Sequence, residues 1–411
     1  MKKIILVAGY TKLKNISKLR SYFPGEEVIL ACAYTRKPST PSKEKHASKF
    51  DVLYDLTKEA DIARLIHDST DIACVTCTQE RDMMVYIQAQ RLCNIITDQQ
   101  VKKYTSVIDK YSFKDEMKHV HPELIPETHL VNDELLQRLD TLTYPLVIKP
   151  TGLAGSTMIH VVRSSEEFTE HYEAFSGKMR EIANEHYLKN IEIIAESYIT
   201  GPQYSVNTYI DAQGVATFCP LVRVVTPQEL GFNDTYSVMQ YTTSEVTDEQ
   251  RDALENAVKK VIAHFDLKNT SAHFDSVYHN GQWKFFEVGL RIGGNRQKLF
   301  EYSHSMDHFG NDIKNRVGDV IKIPEINKSV CVMQKAATHH GTLQAISYQR
   351  NVHSEKPPLV IEDKMAKIGT EVGPLSQGGG TITRHYIVGT NHEEVLNTSK
   401  SLFDSIKFEI T

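Results

Sequence analysis

Apolar residues gather into short runs of strand length over the first hundred positions: KKIILVAG (2–9), EEVILACAY (26–34), FDVLYDL (50–56) and IACVTCT (72–78). Polar spacers with helical or turn-like spacing separate them. Strands alternating with helices predict a parallel sheet with helices on its faces. In such a sheet the loops at the C-terminal strand ends face the crevice, which brings Gly9, Tyr34 and Thr78-Gln79-Glu80 near any ligand. Gly9 belongs to no GxGxxG pattern, so a dinucleotide reading has little support.

From about 97 to 120 the period becomes helical, with Thr97 as N-cap, Gln100 at the capping-box position and His121-Pro122 as the stop. A strand-like IPETHLV (125–131) and a short helix lead into YPLVIKPTGLAGSTMIHVV (144–162), two apolar strands around a loop of small residues. Ser164 and Glu167 cap a long helix, and IEIIAESYITGPQYSVNTYID (191–211) reads as two strands around Gly201-Pro202. Thr247 opens a helix whose core face is Ala253, Leu254, Ala257, Val258, Val261, Ile262 and Phe265. SAHFDSVY (271–278) and QWKFFEVGL (282–290) form a hairpin through His279-Asn280-Gly281. From residue 331 onward short strands predominate, ending on a helix from about Asn391, with Glu394 at the box position and Val395, Leu396, Leu402 and Phe403 inward. No internal repeat or low-complexity segment is present.

Composition narrows the class. A chain of 411 residues implies about two to three domains. A formal charge of −5 argues against nucleic acid as a partner, since phosphate binding needs a basic face. No apolar stretch reaches the roughly 18 residues that span a bilayer, and the N-terminal run is too short for a signal peptide, so a cytoplasmic protein is expected. Six cysteines lie scattered in apolar segments. Cys74 and Cys77 form a CxxC, but no second ligand pair follows, and on a strand the two thiols point to opposite faces, as buried reduced cysteines do.

Two segments carry candidate chemistry. In the first, Lys149 precedes the glycines, the reverse of the Walker A order. A lysine fixed on a strand beside a loop whose backbone N–H groups fold over oxygens suits polyphosphate, while an ordinary hairpin with a surface lysine is the plainer alternative. In the second, Asp275 and Glu287 sit on adjacent strands and can share one face, enough protein ligands for a hard cation that also binds phosphates. Arg291 follows Glu287 by four residues, on the same face if the strand continues, where it stabilises charge on a transferring phosphoryl group. A surface hairpin with an ion pair is the alternative. His273 shares the face of Asp275 and touches substrate or is a core histidine; Arg223 is a candidate for meeting a carboxylate; Glu80 and Arg81, at the end of a parallel strand, are candidates for ligand recognition by the crevice rule. His339-His340 is no metal pair, because strand neighbours point apart.

In order and spacing these segments resemble the ATP-grasp superfamily, specifically its carboxylate–amine ligases, and most closely bacterial L-amino-acid ligases that form dipeptides and related amides. The resemblance spans nearly the whole chain: the leading α/β unit, Asp109-Lys110, YPLVIKP with its loop, AESYITGPQYSV and HFD…FFEVGLRIGG. It implies an ATP-grasp fold, α/β and α+β, with an N-terminal parallel α/β domain (1–105), a central small subdomain with the phosphate loop (106–195) and a C-terminal subdomain with the metal site and a β-rich lobe (196–411), the last two clasping ATP. It further implies that Lys110 and Lys149 grip phosphates under a loop of Gly152, Gly155, Ser156 and Thr157. Glu196 would face the adenine amino group, the backbone of Ser197 and Ile199 the ring edge, and Gln203 the ribose. Asp275 and Glu287 would bind Mg²⁺, with Mn²⁺ as a substitute, and Arg291 would hold the acyl phosphate. Substrates would be a small carboxylate and an amine, with a homodimer allowed.

Three departures stand out: Gln203 for a glutamate, Asp275 for a glutamate, and Gly289 where the family often has a metal-ligating asparagine. Water, Asn295 or a second contact from Glu287 would make up the missing ligand. A bicarbonate-activating carboxylase and a non-catalytic ATP-binding sensor are the alternative functions on this scaffold.

Overall fold

The alternating runs of the N-terminal segment become β1 (Lys2–Ala8), β2 (Glu27–Tyr34), β3 (Val52–Asp55) and β4 (Ile72–Thr76), all parallel, in the order β3-β2-β1-β4. Helix α1 (Glu59–His67) connects β3 to β4, and α2 (Met83–Leu92) follows β4. The computed structural model describes residues 2–9, 16–36, 47–152, 158–186, 191–232, 236–243, 245–349, 358–377 and 379–411. Strand alternation sends Cys74 into a core with Ile5, Val7 and Ile313, and Cys77 into another with Ile4, Leu6 and Val75; all six thiols are buried and free.

The helical stretch after Thr97 is two helices, α3 (Asp98–Ile108) and α4 (Lys110–Val120). Thr97 and Gln100 form the expected capping box on α3. Asp109 ends α3 and caps α4, its carboxylate accepting from Ser112 N at 2.8 Å. That break makes Lys110 the first residue of a helix.

A second sheet, in the order β5-β8-β6-β7, is antiparallel: β5 (Thr128–Leu130), β6 (Leu146–Pro150), β7 (His160–Val162) and β8 (Ile193–Ser197). Helices α5 (Asp133–Leu136) and α6 (Ser165–His186) accompany it. The strands on either side of Gly201-Pro202 do not pair with each other. β8 stays in this sheet and β9 (Gln203–Ile210) starts a larger one. Gly201 bridges the two at φ 141°, where a Cβ would lie 2.5 Å from Tyr278 O, so a side chain is excluded.

The larger sheet contains nine described strands. Besides β9 they are β10 (Ala216–Phe218), β11 (Val222–Val225), β12 (Met239–Thr242), β13 (Thr270–His279), β14 (Gln282–Gly289), β15 (Ser329–Ala336), β17 (Leu359–Met365) and β19 (Thr381–Gly389). β16 (Gly341–Tyr348), β18 (Glu371–Val372) and β20 (Ile406–Ile410) form a small third antiparallel unit. Helix α7 (Asp248–His264) covers one face through Leu254, Val258 and Val261 against Phe274 and Phe285. On the other face α8 (Arg296–His304) packs Leu299 and Phe300 on Val222, Val330 and Val332. Helix α9 (His308–Arg316) follows, and α10 (His392–Ser405) packs Val395 and Leu402 on Cys331 and Ile387.

The chain does not finish on its last helix, as expected above. Ile406, Phe408 and Ile410 alternate with Lys407 and Glu409, and this short period-two run pairs with β16. Helices α8 and α9 also went unread, because RQKLFEYSH and HFGNDIKNR carry too few apolar residues for a visible stripe.

Asp312 of α9 ties the parallel sheet to the larger one. Its carboxylate accepts from Thr76 of β4 (2.7 Å), Ser271 of β13 (2.5 Å) and Arg316 Nε (3.0 Å). Burial would raise this carboxyl, but Arg316 and the hydroxyl donors hold it below the usual range. No helix among the described residues is long and apolar enough to cross a membrane.

Candidate active site

The C-terminal end of β6, the helix α4 and β8 bring two lysines, Lys149 and Lys114, around one carboxylate, Glu196. Glu196 and Lys149 share a face of the small sheet by register, Val147 lying opposite Glu196. Lys149 Nζ lies 2.8 Å from Glu196 Oε2, and Lys114 Nζ lies 2.6 Å from Oε1. These side chains are at most 5% exposed, so the charges are almost fully desolvated. Burial alone would raise Glu196, yet the two lysines hold it below its ordinary range. For Lys114 burial outweighs the attraction of Glu196 and lowers it to about 7.

Both lysines also donate to one backbone carbonyl, Phe286 O, at 2.9 Å from Lys114 and 3.4 Å from Lys149. That carbonyl is available because the β13–β14 ladder slips here: Asp275 faces Glu287 and Ser276 faces Phe285, leaving Phe286 as the bulged residue. Lys110 sits 3.8 Å from Glu287 Oε2 and joins this wall to the next. Lys114, which sequence reasoning missed, lies one turn beyond Lys110 on the same helical face, a spacing that could have flagged it. Nothing in the sequence announces the bulge.

Asp275 and Glu287 are directly opposite across the ladder, so both carboxylates leave the same face of the sheet. Burial would raise Glu287, but Lys110, His273, Lys149 and Arg291 hold it below its ordinary range. Ser205 lies opposite Asp275 on β9, and its buried hydroxyl has no protein partner. Two carboxylates with a neighbouring hydroxyl form a hard-oxygen donor set, which fits Mg²⁺ bound jointly by protein and phosphates. No group of three or more His, Cys, Asp or Glu side chains at metal-holding spacing occurs among the described residues.

Gly289 has a steric reason. A Cβ there would sit 2.1 Å from His273 Cε1, so the imidazole fills the space a side chain would need. His273 Nδ1 pairs with Arg291 O at 3.2 Å, which holds the ring in place.

β14 ends at Gly289, so strand parity does not carry to Arg291. The side chain reaches the parallel sheet instead: its Nε donates to Glu80 Oε2 at 2.8 Å, and the chain's own Ile292 O accepts from Nη1 at 2.9 Å. Glu80 lies just past the C-terminal end of β4, on the crevice side expected above. Arg81 is exposed beside Asp82.

Of the other candidates, Gln203 opens β9 on the face of Asp275, because it pairs with Val277. Ser197 N donates to Glu127 O (2.9 Å), and Ile199 follows in the connection to β9. Gly152 is exposed at the end of β6, while Gly155, Ser156 and Thr157 lie outside the described residues. Arg223 is not brought to this face. It pairs with Tyr204, one residue out of phase with Ser205 and Asp275, and its guanidinium turns to Glu229 and the Tyr204 ring on the opposite side.

Residues 142–298, which contain Lys149, Glu196, Asp275, Glu287 and Arg291, match the family model described as an ATP-grasp domain. No curated protein matches the chain by sequence. Among solved structures, an L-amino acid ligase from Bacillus licheniformis is 15% identical with a TM-score of 0.75, over 100% of this chain and 98% of that one. N5-carboxyaminoimidazole ribonucleotide synthetase from Thermotoga maritima is 13% identical (TM-score 0.67), over 100% of both chains. The biotin carboxylase domain of Hydrogenobacter thermophilus 2-oxoglutarate carboxylase, a structure with MgADP, ADP and bicarbonate, is 16% identical (TM-score 0.63), over 99% of this chain and 91% of that one. The protein therefore has the ATP-grasp fold, and residues 142–298 are the part that matches the ATP-grasp domain model.

Proposed function

We propose that this protein is an ATP-dependent carboxylate–amine ligase that joins amino acids through an acyl phosphate. ATP-grasp proteins are ATP-dependent C–N ligases or carboxylases, and the observation that favours the amino-acid ligase is the Arg291–Glu80 pair beside Asp275 and Glu287. A fixed guanidinium next to a fixed carboxylate complements a zwitterion. In the proposed complex the zwitterion inserts at this pair: Glu80 receives the ammonium group, and Arg291 receives the carboxylate that becomes the acyl phosphate.

In the first step a carboxylate oxygen bonds to the γ-phosphorus of ATP while the bond to the β,γ-bridging oxygen breaks, giving acyl phosphate and ADP. In the second an amine bonds to the acyl carbon, the carbon–oxygen bond to phosphate breaks, and the nitrogen loses a proton. Catalysis of the first step is largely positioning and charge neutralisation. Lys110 and Lys149 supply fixed cations for the phosphates. Glu196 and Lys114 hold Lys149 in place, and the Phe286 carbonyl anchors both lysines. Asp275 and Glu287 would hold Mg²⁺, which supplies further neutralisation of phosphate charge when bound. Covering of the phosphates by the 152–158 loop would exclude the water that hydrolyses acyl phosphates.

The test incubates the protein with ATP, Mg²⁺ and pairs of L-amino acids, and measures ADP and phosphate. Release that requires amino acids supports the ligase. Release that requires bicarbonate instead would move the protein to the carboxylases, and stabilisation by ATP without turnover would make it a sensor.

A further inference from the structure

Past Arg291 the chain turns through Ile292-Gly293-Gly294-Asn295 into α8, whose first residue is Arg296. This side chain is 4% exposed and lies on the Asp275 side of the larger sheet. Its Nη1 donates to the Gln240 side-chain oxygen and to Gly294 O (3.2 Å), both neutral acceptors. No carboxylate of a described residue forms an ion pair with it, and its Nε has no partner. Burial pushes the group down to about 10, with Asp275 the charge that opposes this most.

Asn207, 1% exposed on β9, shares the corner. Its Oδ1 accepts from Gly293 N at 2.7 Å, while its Nδ2 has no partner. A Cβ on Gly293 would lie 3.2 Å from Arg296 Cγ and 3.4 Å from Asn207 Nδ2, so the two side chains flank the same glycine. The Asn295 side chain caps no N–H group of α8, so the positive end of that helix opens at the same place. Guanidinium, amide and helix N-terminus thus converge with no acidic acceptor, an arrangement that a bound anion completes.

We propose that this corner of Arg296, Asn207 and the α8 N-terminus binds the carboxylate of the amine-bearing substrate, so that the nucleophile is itself an amino acid. The proposal rests on the ligase reading above. The activated carboxylate is assigned to Arg291, and only the second substrate's carboxylate survives the reaction as an anion that needs its own partner. Arg291 and Arg296 lie five residues apart, so the two carboxylates are held by one short segment of chain.

The deciding measurement is kcat/KM for L-amino acids as nucleophiles against the matching amino-acid amides, which keep the amine and lack the charge. The wild type is expected to prefer the amino acid by on the order of tenfold to a hundredfold. Arg296→Gln is expected to bring that ratio close to one, and Asn207→Ala to lower it partway. A wild type without the preference, or variants that slow both nucleophiles equally, overturns the proposal. The wild-type comparison decides even if Arg296→Gln fails to fold. Failure of the ligase reading looks different, since no substrate pair then releases ADP. In that case thermal titration of the Mg²⁺–nucleotide-loaded protein with the same amino acids and amides still reads the corner. Equal stabilisation by both overturns it, as does displacement of the amino acid by inorganic phosphate.

Discussion

The two walls of the site handle charge in opposite ways. On the small-sheet wall, Lys114, Lys149 and Glu196 are nearly fully buried and pair with one another, and the Phe286 carbonyl accepts one further hydrogen bond from each lysine. On the larger-sheet wall, Asp275 forms no ion pair among the described residues, while Ser205, Asn207 and Arg296 keep polar atoms without protein partners. The first wall is finished by the chain itself and so contributes to folding. The second is finished by what it binds, so its residues report on ligands more than on stability.

The largest expected effect breaks the first wall. Glu196→Ala leaves two buried ammonium groups uncompensated and should cost about 3–5 kcal/mol of unfolding free energy, read by denaturant titration. Asp275→Asn on the opposite wall should change stability by about 1 kcal/mol or less while abolishing turnover. Similar stability losses for the two variants would erase the contrast.

Next is Lys149→Ala. Lys114 still satisfies Glu196, so the protein should stay folded, but kcat/KM should fall at least about a hundredfold. Undiminished turnover would remove Lys149 from the phosphate site.

A smaller effect probes Gly289. An asparagine there collides with the His273 ring and should destabilise by about 1–3 kcal/mol, and His273→Ala in the same chain should recover part of that loss. Additive losses in the double variant would show that the imidazole is not what excludes a side chain.

The smallest concerns pH. Glu196 is held below its ordinary range, so the stability it lends is present at neutral pH and declines as the solution is acidified through and below the usual carboxylate range. Lys114 is lowered to about 7, so the unfolded chain binds more protons above that pH, and stability should rise from there toward the ordinary lysine range. Denaturation of the wild type and Lys114→Met at pH 7 and pH 9.5 checks the sign: the wild type should gain relative to the variant. A relative loss would contradict the assignment.

The sequence made the parallel sheet, the capped helices and the Asp275–Glu287 hairpin legible because each has a local period or a turn with a fixed chemistry. Thr97-x-x-Gln100 and Asn280-Gly281 are such signals. It left Lys114, the bulge at Phe286 and the Arg296 corner unread, since these depend on how separate elements meet. Arg223 shows the limit from the other side: it has the right residue type on the right strand, and a one-residue difference in register turns it away. Gly289, which looked like a lost metal ligand, is explained only when the His273 ring is placed over it.

Activation of a carboxylate as an acyl phosphate in this site can be tested without knowing the amine. Hydroxylamine intercepts such an intermediate directly. With ATP, Mg²⁺, an L-amino acid and hydroxylamine, amino-acid hydroxamate should form one-for-one with ADP and be lost in Lys149→Ala. ADP release without hydroxamate for any of the common L-amino acids, or release that depends only on bicarbonate, would contradict it.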